Sequence, residues 1–335
     1  MTKVILAGAS VAALAFAVPA MAQNAGNGPT PAAATPAGCP VGVNNCSLVE
    51  QTGEENDATV DQTGSDNVAD VSQTGTFAAP GNLVTVDQTG TENFAFVTQD
   101  TSATNTARVR ATVIQDGVNS LADIDQVGNE AGGTATVAQN ALTDFSFATV
   151  EQTGAAGGGA NTATIVQTDG FLNDAAIVQG RTTVFTDTIR GIAPGTVTDS
   201  DGGVATIDQI GDLNVGSVVQ GGTDQFADVD QNSSGGAAFG NFALVVQGSG
   251  ALSADNDALV NQQGDANFSE IYQNDQAAGG NNLADVDQFG SDGNFSRITQ
   301  NGSDHQAFVT QYDGSSSFVT QSGTGSLATV TQGTP

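Results

Sequence analysis

A nine-residue pattern recurs along nearly the whole chain and leaves few architectures open. Gln preceded two residues earlier by Val or Ile occurs 22 times, from Gln51 to Gln332. Apart from the gap between Gln179 and Gln209, successive copies lie 10 to 16 residues apart, most often 11. The position four before Gln is an independent test of the repeat. It holds Ala in 16 copies and Ser in four, with Val84 and Gly216 as the exceptions. Asn stands six before Gln in 13 copies, and Gly two after it in 13. The consensus is N-x-A-x-V-x-Q-x-G, complete at Asn67, Ala69, Val71, Gln73 and Gly75.

The period within each copy is two, which predicts a strand with Asn, Ala, Val and Gln on one face. A helix would scatter these residues around its circumference. Gly after Gln provides a tight turn. One such strand cannot bury its inner face alone, but a stack of identical units can. The expected fold is therefore all-β: a β-solenoid of strand-turn-strand repeats with two facing, parallel, in-register sheets. Two copies make a coil of about 22 residues, and 22 copies make about 11 coils, a rod about 53 Å long at the cross-β layer spacing of about 4.8 Å. Inward amides are costly unless bonded. In register, each can donate to its copy one layer away. The expected ladder residues, which are also the candidate assembly contacts, include Gln51, Asn56, Gln62, Asn67, Gln73, Asn93, Gln99, Asn267, Gln273, Gln321 and Gln332. Those nearest the two ends, Gln51, Asn56 and Gln62 against Gln321 and Gln332, are the candidate rungs for joining a further molecule.

Two adjoining copies read Q-x-G-x2-N-x-A-x3-Q at Gln62, Gly64, Asn67, Ala69 and Gln73, and again at Gln88, Gly90, Asn93, Ala95 and Gln99. This resembles the curlin repeat, and the resemblance covers about residues 45 to 335. It implies a subunit of curli, the amyloid fibres of bacterial surfaces, with roles in biofilm matrix and adhesion. It also implies a curli-type secretion pore and a nucleator as partners, besides the chain's own copies. The chain departs from the family in its many units, its irregular spacing and insertions such as Ala155 to Ala160. Residues 180–203 lack the motif, and Arg190 stands where Gln is expected. A buried unpaired Arg is costly, so a degenerate strand or an excursion is expected there, and division of the solenoid into two stacks would be one consequence.

The N-terminus reads as a signal peptide over residues 1–22: Lys3, an apolar run from Val4 to Val18, and a small-x-small end at Ala20-Met21-Ala22. That run is too short for a membrane span. Residues 23–44, rich in Pro, Ala, Gly and Asn, read as a leader, which family resemblance would make an address for the secretion pore. In an exported chain Cys39 and Cys46 favour a disulfide. Cleavage would remove Lys3, the single Lys, leaving five Arg against 36 acidic residues. Nucleic acid is excluded as a partner, because phosphate binding needs clustered basic side chains.

No catalytic constellation, cofactor motif or metal-ligand spacing is present, so no enzyme is expected. His305, the single His, falls in the Asn column and reads as a substitution within it. Asp61, Asp87, Asp125, Asp208, Asp230 and Asp287 immediately precede the repeat Gln and so face outward. Asp123, Asp228 and Asp285 add a second carboxylate two residues earlier. They read as a solvated acidic face whose stacked like charges repel across strands. A monomeric surface adhesin using that face is the second functional expectation. Ice binding ranks last, since no sustained T-x-T face is seen along the strands.

Overall fold

The computed structural model describes residues 45–334 except for segments 76–80, 102–106, 129–131, 141–144, 155–158, 181–199, 235–239, 249–252, 275–278 and 291–292. Successive strands alternate between two sheets of eleven strands each, which makes eleven coils. Sheet I runs from Asn45–Thr52 to Ser316–Thr324, and sheet II from Asp57–Ser65 to Leu327–Gln332. All pairing is parallel and keeps the repeat in register, so that Ala69, Val71 and Gln73 lie beside Ala95, Val97 and Gln99. The all-β parallel solenoid is the fold that the period of two predicts.

The sheets face each other across a single core of Ala with Val or Ile. Alternation makes this unavoidable: the inner parity carries small and β-branched side chains, and Ala at every other inner site lets the sheets approach closely. Between the end coils the inward Ala and Val or Ile side chains are almost wholly buried. At the ends Ala58 and Val60, and Ala328 and Val330, are only partly so.

Several turns use two left-handed residues. In the turn between Asp57–Ser65 and Asn67–Thr74 these are Gly64, at φ 106°, and Asp66, at φ 59°. Gly64 has no alternative, since a Cβ there would sit 1.9 Å from the carbonyl oxygen of Gly90 one coil away. Asp66 lies in the milder region that Asp and Asn tolerate.

The gap after Gln179 does not split the stack. Strand Asp174–Gln179 pairs directly with Val215–Gln220, and Thr162–Thr168 pairs with Val204–Ile210. The two sheets therefore continue uninterrupted past residues 180–203. Arg190 lies outside the described residues. Coils around and beyond this point gain a third, short sheet at the corner between the main sheets: Ser200–Asp201, Gly222–Thr223, Ser253–Ala254 and Gly279–Gly280.

Outward parity does not mean exposure everywhere. Val178, Val219, Phe242, Leu244 and Val246 point away from the core of sheet I yet form a second buried cluster. Phe242, Phe268 and Phe295 stack on that face with ring centroids 4.6 and 5.0 Å apart.

Candidate self-assembly surface

The Gln columns form two unbroken ladders. In sheet I each Gln from Gln51 to Gln300 donates through Nε2 to Oε1 of the next Gln, passing through Gln73, Gln99 and Gln273 and ending on Gln321; in sheet II the same holds from Gln62 to Gln332. These bonds span 2.7–3.0 Å. Between the end coils the Gln side chains are wholly buried, so each rung replaces water that the amide has lost.

A second bond fixes the direction of the ladders. The other Nε2 proton reaches the backbone carbonyl at the start of a strand in the facing sheet: Gln73 to Asp57 at 3.2 Å, Gln88 to Val68 at 3.1 Å, Gln273 to Asp257 at 2.8 Å. A carbonyl can only accept, so nitrogen must lie on that side of each amide. Every rung therefore points the same way, toward the C-terminal end. The sequence pattern indicates the column but not this clamp between sheets, because the partner carbonyl is set by how the sheets face each other.

The Asn column works differently from the expected amide ladder. Asn67 Oδ1 accepts from the backbone N–H of Asn93 at 3.1 Å, while its Nδ2 donates to the carbonyls of Thr63 and Gly90. Asn93 repeats this with Ser120, Thr89 and Gly117, and Asn56 Oδ1 accepts from the N–H of Asn82. Asn is one methylene shorter than Gln, so it braces its own turn and the backbone of the next coil. Side-chain pairs join in toward the C-terminal end, where Asn267 donates to Asn241 at 3.1 Å and Asn294 to Asn267 at 2.9 Å. His305 occupies this column and is fully buried.

At the end faces the ladders stop on opposite chemistry. Gln51 and Gln62 present Oε1 with no donor among the described residues; Gln332 presents Nε2 with no acceptor among them. Gln321 Nε2 bonds the carbonyls of Gln306 and Ser326 but has no further Gln to receive it. The sequence also continues in phase across the ends. Setting Gln321 beside Gln51 of a second copy places Val319 on Val49 and Phe318 on Leu48; setting Gln332 beside Gln62 places Val330 on Val60 and Ala328 on Ala58. Phe318 and Leu327, at 69% and 68% exposed, are the most exposed large apolar residues described and lie at the C-terminal end.

The outward carboxylates stack as expected, with Asp61 beside Asp87 and Asp208 beside Asp230. Partial burial, then repulsion from Asp230 and Asp208, holds Asp228 above the ordinary carboxylate range; burial, then Asp287, does the same for Asp285. Asp123 is pushed furthest, to about 6, by burial first and then by Asp125 and Glu151. Arg297 pairs with the buried Glu270 on the adjacent strand of sheet I. Cys46 lies in the first strand and its carbonyl accepts from Gln62 Nε2. Cys39 lies outside the described residues, and with it the expected disulfide; so do the expected signal peptide, residues 1–22, and the expected leader, residues 23–44.

Fold and ladders together define a class: a parallel, amide-laddered β-solenoid whose two end faces, among the described residues, carry complementary amide groups. The family model for the curlin associated repeat matches residues 44–75, 254–290 and 279–312, about a quarter of the chain. At those residues the chain is similar to the curlin associated repeat. The unmatched stretch between holds the same columns in the same register. No curated protein matches the chain. Among the described residues no helix is long and apolar enough to cross a membrane.

Proposed function

We propose that this chain is an exported structural subunit that joins head to tail into extracellular amyloid fibres, serving biofilm matrix and surface adhesion. The observation that carries the reading is the polarity of the Gln ladders. One end offers two amide oxygens and the other offers amide N–H, so a C-terminal face on an N-terminal face continues both ladders. Like ends would oppose oxygen to oxygen or N–H to N–H. The templating strands are Ser316–Thr324 and Leu327–Gln332 at one end, and Asn45–Thr52 and Asp57–Ser65 at the other. A signal peptide over residues 1–22 and a Cys39–Cys46 disulfide belong to this proposal through the residues themselves, and passage through a curli-type pore and growth from a nucleator through the family resemblance.

The test targets one end face. Val330→Lys adds a charge to a side chain that is only partly buried in the free rod but would be enclosed at the joint. The rod should keep its β-rich circular dichroism while elongation at that end, watched on single fibres, slows at least about tenfold. Normal elongation at both ends would contradict this joint, and a wild-type chain that forms no fibres would favour a monomeric adhesin.

A further inference from the structure

We propose that His305 is a pH-sensitive lock on the C-terminal coil, closed when its imidazole is neutral and opened by proton uptake. The ring is fully buried in the Asn column. Nδ1 lies 3.2 Å from the backbone nitrogen of Ser326, and Nε2 lies 3.2 Å from the carbonyl oxygen of Asn301. A backbone N–H can only donate, so Nδ1 must be the bare acceptor and Nε2 must carry the proton. The two bonds fix one neutral tautomer. Ser326 lies in the turn that joins the last two strands, Ser316–Thr324 and Leu327–Gln332. A second proton at Nδ1 would face the Ser326 N–H, break that bond and leave a charge buried.

The surroundings supply nothing to hold that charge. Below the ring, Asn282 Oδ1 accepts from the His305 backbone N–H. Beside it is the turn carrying Asn301, and above it Ser326, whose carbonyl accepts from Gln321 Nε2. The adjoining carboxylate, Asp304, stands in an exposed turn position and accepts from Asn281 Nδ2. Elsewhere the same job is done by groups that do not titrate: Asn294 Oδ1 accepts from the N–H of Ser315 at 3.0 Å. Opening the turn gives the imidazole to water, where an imidazole takes a proton in mild acid, so acid favours the open form of this turn and not of its counterpart one strand earlier.

The lock is tested on the soluble full-length rod by hydrogen exchange at the amides of Ser326 to Gln332, corrected for intrinsic rates, at pH 8 and pH 5. Wild-type protection at pH 8 should fall at least about tenfold at pH 5, the loss of about one hydrogen bond. His305→Asn, which restores the column's usual residue, should abolish the step, and His305→Ala should lack the protection at both pH values. Unchanged wild-type protection at pH 5, or the same fall in His305→Asn, would overturn the proposal. This readout needs no fibre, so its failure is distinct from failure of head-to-tail assembly.

Discussion

At the scale of single residues, the inward Gln side chains hold the most interactions. Gln231 accepts from Gln209, donates to Gln262 and clamps the carbonyl of Val215. Gln231→Ala would strand a donor and two acceptors in a dry core. We expect a loss of about 2–4 kcal/mol, measured by denaturant midpoint. The carboxylates act in the opposite sense. Asp123, normally near 3.8, is pushed up to about 6. A carboxyl raised in the fold adds most stability below its unfolded value and loses it as pH rises through its folded value. The wild-type rod should therefore gain stability as pH falls from about 7 toward 4. Asp123→Asn should stabilise it at pH 7.5, on the order of 1–3 kcal/mol, and flatten that rise. An unchanged melting profile would contradict the assignment. The sequence shows that these Asp face outward, since parity decides it. It does not show how far burial beside Asp125 and Glu151 raises one of them, because strand partners come from other coils.

At the scale of the element, the strand and the turn are legible to different degrees. Alternation of Asn, Ala, Val and Gln dictates the strand and its inner face. Gly after Gln marks one turn residue, but the second left-handed position, filled by Asp66, Glu92 or Leu213, has no consensus to betray it. The two kinds of turn position should respond differently to substitution. Gly64→Ala puts a methyl into the Gly90 carbonyl at a φ of 106°, and should cost at least about 2 kcal/mol. Gly325, at φ 71° with nothing within 4 Å of its missing Cβ, has room for a side chain; Gly325→Asn should change stability by less than about 0.5 kcal/mol. Equal effects at both sites would refute this division. The short corner sheet and the buried outer cluster of Val178, Val219 and Leu244 were not legible. Period two assigns a side chain to a face but does not reveal what packs on that face.

At the scale of the whole molecule, stability and length are nearly additive, since each coil meets only its neighbours. Removing residues 67–92 deletes one coil and rejoins Asp66 to Asn93 in phase. The shortened rod should still fold and assemble, with its contribution to the fibre axis reduced by about 4.8 Å. The number of coils was legible because the repeat could be counted. The continuity of the stack past residue 180 was not, because only pairing such as Gln179 beside Gln220 shows it. The direction of both ladders, on which polar joining depends, was equally hidden, as it follows from clamps between sheets. The most direct test of that joining is seeded thioflavin kinetics with fibre diffraction on purified residues 23–335. Head-to-tail assembly predicts a lag phase abolished by preformed seeds and reflections near 4.7 and 10 Å; a β-rich protein that ignores seeds and stays monomeric would contradict it.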